Sequence, residues 1–196
     1  MLELPLRLQP WEPTYPVAHY RAHEAEFPDL PPPPLETVAL PEPGPPVYDV
    51  EVCLALVELA SVWKRESNGE VGAVAVAGDA SSAIAALGVG TSARMGAVAV
   101  DHALAAMAWA AASGGAHGRR RGMAAGRFAA WWTVAALAGL LEDWPFVPDE
   151  VGEAATAMRW YRWDDGAPVT GWSLCLAVED PDASWAWARR AADRRV

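Results

Sequence analysis

Three consecutive arginines, Arg119, Arg120 and Arg121, stand between two glycines just ahead of an apolar, tryptophan-bearing stretch. Guanidinium groups gathered there can hold an anionic group of a ligand or pair with acids of the chain itself. A helix start already carries partial positive charge and unpaired N–H groups, so a cluster of cations at one calls for something negative nearby. Asp164, Asp165, Glu142 and Asp143 are acids of the same chain that would serve for internal pairing. Eleven tryptophans are present, each a large apolar face with a single N–H that wants an acceptor. Trp131, Trp132, Trp160, Trp163 and Trp172 fall in the C-terminal third and are the candidates to line a pocket for an anionic or aromatic small molecule, with the arginines contacting its charge. His117 and the neighbours Asp101 and His102 are the candidates for acid–base work, because imidazole titrates near neutral pH.

Other chemistry has less to stand on. The order RRRGMA (119–124) is similar to the Arg-x-x-Gly-x-Ala turn with which acetyltransferases hold the pyrophosphate of acyl-CoA. That turn follows a strand, whereas MAWAAASGG ahead of it reads as the end of a helix. His19 and His23, four apart, could face one metal, but no third ligand is in view and no metal is expected. There is no Walker-type lysine and no dinucleotide fingerprint, so no cofactor is expected either. Cys53 and Cys175 stand far apart and do not resemble a disulfide framework.

The net charge of −10 argues against nucleic acid as a partner, since a phosphate backbone would be repelled by most of the surface. The longest uncharged apolar run, Phe128 to Leu141, is too short to span a bilayer, and no secretory signal is visible, so the expectation is a cytoplasmic protein without a membrane partner. Two function classes remain. One is a small-molecule protein, a biosynthetic enzyme or ligand-binding protein; the other is a non-enzymatic binding or assembly protein using an acidic surface and an N-terminal arm, with a homo-oligomer, preferably a dimer, as its form.

The elements that must position these residues follow from patterning. Residues 1–48 hold 13 of the 17 prolines, which predicts an extended arm packed on its own domain or on a neighbour, with LELPLRL as an edge strand. Residues 49–196 read as a single α+β domain, mainly α. Its expected core is a compact alanine-rich helical bundle, with helices near 49–67, 70–87, 93–112 and 120–142, the last of them central and apolar. In the first helix Val50, Cys53, Leu54, Val57 and Trp63 are the expected buried positions. GAVAV at Gly72–Val76 recurs at Gly96–Val100, each copy leading into an alanine-rich run, and reads as either chance or a duplicated helical unit. A β-hairpin is expected over about 158–179, followed by a helix over about 181–194 that Asp180 caps and Pro181 opens.

Overall fold

The computed structural model describes residues 3–15, 33–167 and 171–193. His19 and His23 therefore lie outside the described residues. Strands β1 (Glu36–Ala39), β2 (Glu70–Ala77), β3 (Ser92–Val98), β4 (Arg159–Asp164), β5 (Trp172–Asp180) and β6 (Trp185–Asp193) make one antiparallel sheet, in the order β1-β3-β4-β5-β6-β2. Helices α1 (Val50–Glu58), α2 (Ser61–Glu66), α3 (Ala80–Ala86), α4 (Val100–Ala112), α5 (Met123–Leu137) and α6 (Pro148–Ala157), with a 3-10 turn at Leu141–Asp143, complete the described elements. The fold is α+β, but it is not mainly α, and the expected alanine-rich bundle is corrected to a sheet with helices packed on it.

The corrections share one physical cause. Alanine favours helix in isolation, yet a small residue also suits a strand pressed between neighbours on both faces, and tertiary context decides. The segment expected as the final helix, 181–194, is β6: Trp187, Arg189, Ala191 and Asp193 occupy one face in register with Val178, Leu176, Leu174 and Trp172 of β5. Asp180 does not cap a helix there. Its carboxylate accepts the N–H groups of Asp182 and Ala183, closing the turn between β5 and β6. Likewise the helix expected over 70–87 is β2 followed by α3, and that over 93–112 is β3 followed by α4. Both GAVAV copies begin in strands that each lead into a helix, so the echo marks two β–α steps. The helix expected over 49–67 is broken into α1 and α2, and LELPLRL adopts no strand among its described residues. The hairpin strands fall where alternation puts them, as β4 and β5.

One face of the sheet carries α3, which packs Ala80, Ala83 and Ile84 onto Val76, Cys175, Ala177, Ala186 and Ala188. The other face carries α4, and α5 packs on α4 in turn. Every residue of α4 from His102 to Ala112 is buried. Such a helix needs small side chains toward its neighbours, and Gly126 of α5 lies so close that an added methyl would collide with the Ala108 carbonyl. Among the described residues no helix is long and apolar enough to cross a membrane.

The described part of the arm is tied to α5. The Glu12 carboxylate, its side chain fully buried, accepts Arg127 Nε and Nη2 at 2.6 Å each, Trp131 Nε1 at 2.8 Å, Tyr15 Oη at 3.0 Å and its own chain's Gln9 N–H at 3.0 Å. Arg127 Nη1 also donates to the Pro5 carbonyl at 2.6 Å, and Trp11 packs on Trp131 with ring centroids 4.8 Å apart. Burial pushes the Glu12 carboxyl up, but the bonds from Arg127, Gln9 and Trp131 outweigh it, so its pKa lies below the ordinary carboxylate value.

Two outcomes are expected. Gly126→Val should cost about 1–3 kcal/mol or more, the range for overpacking a filled interior, read as a lower urea midpoint at unchanged slope. A carboxyl held below its unfolded value stabilises the fold above the ordinary carboxylate range and loses that contribution as pH falls through its lowered pKa. Glu12→Gln should therefore cost about 3 kcal/mol at pH 7, where it strands Arg127, and should flatten the acid limb of the stability profile.

Candidate functional site

A cleft of about 310 Å³ opens between α1 and α5, lined by Ala55 and Glu58 from the first and Arg121, Ala125, Phe128, Ala129 and Trp132 from the second and its lead-in. The α5 residues recur at helical spacing, so one stripe of the helix supplies the floor and an entire wall. Helix α5 starts at Gly122, whose φ of 85° lets the chain turn sharply into it, leaving Arg121 at the lip. Phe128 and Trp132 stack at 6.0 Å, and Trp144 meets the Phe128 ring edge-on at 5.5 Å, which stiffens the apolar wall from behind. Glu58 accepts the Ser61 hydroxyl at 2.8 Å.

Arg119 and Arg121 are not answered by the acids that sequence suggested. Asp164 takes a bidentate pair from Arg94 at 2.8 Å, and Asp165 takes Arg190 at 2.6 Å. Glu142 and Asp143 sit in an exposed or half-exposed 3-10 turn. The side chains of Arg119 and Arg121 are exposed and make no ion pair among the described residues, while the Arg119 N–H donates to Glu66 at 2.9 Å. What tolerates the charge is the backbone. The N–H groups of Arg121 and Gly122 both donate to the Ala112 carbonyl, so the triplet is stitched to the C-terminal end of α4, the partly negative pole that suits cations.

The remaining predicted residues go elsewhere. Trp131 is buried against the arm, Trp160 is buried with Nε1 donating to the Ala155 carbonyl at 2.8 Å, and Trp163 is buried on the opposite face of the sheet. Trp172 stacks with Trp109 at 5.3 Å and meets Trp63 at 6.2 Å, forming a third core. The tryptophans thus divide among separate cores. Arg121 and Trp132 are the two predicted residues that the cleft unites. His117 is exposed, Asp101 is exposed in the first turn of α4, and His102 is buried on the same helix; none of them lines the cleft. Burial, then the nearby Arg162 charge, holds the His102 pKa below its ordinary value against the pull of Asp101. Among the described residues no group of three His, Cys, Asp or Glu is placed to hold a metal ion.

Sequence reasoning missed Glu58 and Phe128, and it placed a third residue wrongly. Arg189, within the span expected as the final helix, is fully buried in β6, and among the described residues none of its three guanidinium nitrogens has a hydrogen-bond partner. Burial pushes its pKa down to about 9, with Cys175 opposing and Arg162 reinforcing the shift. Leu176 lies between Arg189 and Arg162 in register across three strands. An unpartnered buried charge is a net cost, so Arg189→Met should raise stability by about 1–4 kcal/mol, read from urea unfolding at pH 7.

Residues 1–193 match the model of a family described as "Family of unknown function (DUF6183)". Comparison with the curated proteins and with the solved structures returned no match.

Proposed function

We propose that this chain, which belongs to the DUF6183 family of unknown function, is a ligand-binding protein whose α1–α5 cleft takes a small apolar or aromatic molecule bearing one anionic group. The observation that carries the reading is Arg121: an exposed guanidinium with no carboxylate partner among the described residues, standing at the end of an aromatic wall. A ligand carboxylate would take the guanidinium's donors, and Phe128 and Trp132 would cover the ring or chain behind it. Glu58 on the opposite wall works against a second negative charge and favours a ligand that presents a hydrogen-bond donor to that side. The reading is one of binding, not turnover. Arg121 and Glu58 are the ionisable side chains of the lining, and Glu58 is already held by Ser61.

Indole-3-acetate and phenylacetate are suitable probes, with indole as the uncharged control. At about 100 times its dissociation constant a ligand adds roughly 2.7 kcal/mol of apparent stability, a shift that thermal unfolding reads directly. The acids should raise the melting temperature of the protein and indole should do so much less; Arg121→Glu and Trp132→Ala should each abolish the shift while remaining folded. No shift with either acid, or an unchanged shift in Arg121→Glu, would remove the cleft from consideration.

A further inference from the structure

On the other side of α1 lies a larger groove, about 580 Å³, between that helix and the edge of the sheet. Strand β2 is an edge strand: β6 pairs one side of it along its whole length. Among the described residues the opposite side is paired only at its C-terminal end, where the Val47 N–H donates to the Ala75 carbonyl at 3.0 Å and the Ala77 N–H donates to the Pro45 carbonyl at 2.8 Å. Backbone groups alternate sides along a strand, so Val71 and Ala73 turn their N–H and C=O groups the same way as Ala75 and Ala77. Among the described residues nothing pairs with them there. A second hollow of about 440 Å³ lies over β2 and β6, lined by Glu70, Val71 and Gly72 together with Leu87, Arg190 and Ala192.

The groove is walled by large apolar side chains that face water. Tyr48 is 95% exposed, Leu54 58% and Val50 42%, and Val50, Leu54 and Val57 form one stripe along α1. Sequence patterning assigned Val50 and Leu54 to the interior; the structure instead buries Val52, Ala55 and Leu56. An apolar stripe beside an open strand edge is the pairing that strand addition uses, with main-chain bonds for affinity and pockets for alternate side chains. Charge selects the occupant. The groove contains Asp49 and no lysine or arginine, and exposed Glu51 lies beside it on α1, while Arg190 of the second hollow is already held by Asp165 at 2.6 Å. A second copy, at a net charge of −10, would bring the same acids against these.

We infer that the groove between α1 and β2 docks an extended, basic segment of a partner protein, which pairs with Val71 and Ala73 as a seventh strand and sets its apolar side chains against Val50, Leu54 and Val57. The segment already lying at Pro45–Val47 shows how such a strand meets this edge, antiparallel to β2 with Pro46 opposite Val76.

A synthetic peptide alternating lysine and valine tests this on the full chain, beside an alternating glutamate–valine peptide and a lysine–valine peptide N-methylated at every second residue. Binding is followed by fluorescence anisotropy and by hydrogen exchange at the Val71 and Ala73 amides. The basic peptide should bind and slow exchange at both amides by about tenfold or more, while the acidic peptide does not bind and N-methylation weakens binding by about tenfold or more. Leu54→Lys, at an exposed position where folding is not at stake, should weaken binding by about tenfold or more, and Arg121→Glu should leave it intact. No binding of the basic peptide, equal binding of all three peptides, or protection of these amides that grows with protein concentration alone would overturn the proposal, the last by making a second copy the occupant.

Discussion

A helix with no free face organises this molecule. Helix α4 lies with the sheet on one side and α5 on the other, and from His102 to Ala112 every residue is buried. Its own alanines, and Gly126 opposite Ala108, set how closely the layers stand. That spacing determines where α5 can lie relative to α1, and so the width of the cleft between them. Aromatic side chains gather in separate groups, Trp63, Trp109 and Trp172 in one and Phe128, Trp132, Trp144 and Phe146 in another, while Trp131, Trp160 and Trp187 lie in the main core with the alanines.

Arginine is handled in three ways within the same chain. Arg127 is matched to a buried carboxylate from more than a hundred residues away, and the arm is anchored by that match. Arg94 and Arg190 meet Asp164 and Asp165 near the surface, where such pairs contribute little to stability. Arg189 is shut inside with no hydrogen-bond partner among the described residues. Arg119 and Arg121, exposed and without an ion pair among the described residues, belong to none of these groups.

What could be read from sequence depended on whether the signal was local. The β4–β5 strands, the start of α5 and the helical stripe carrying Phe128 and Trp132 depend on alternation, turn residues and 3.6-residue spacing, all visible in a short window. The two GAVAV segments and β6 do not, since an alanine-rich strand looks like a helix until its neighbours across the sheet are known. Leu54 and Val50 misled for a related reason: an apolar residue on a helix reads as core, and only the packing of Val52, Ala55 and Leu56 shows which face is turned inward. Arg121 was visible as a candidate, but its two neighbours looked the same. The end of α4 beside it, which makes unneutralised cations tolerable, is a spatial fact with no trace in the order of residues.

The strand order has a consequence for how the molecule is made. Among the described residues strand β2 finds its one strand neighbour in β6, more than a hundred residues further along, with β3, β4 and β5 on the far side of that partner. As the chain leaves the ribosome, the valine-rich stretch at 70–77 therefore waits without its strand partner until residues 185–193 have emerged to pair with it. Nascent-chain chaperones would meet this stretch early, and truncation anywhere before β6 would leave it permanently sticky.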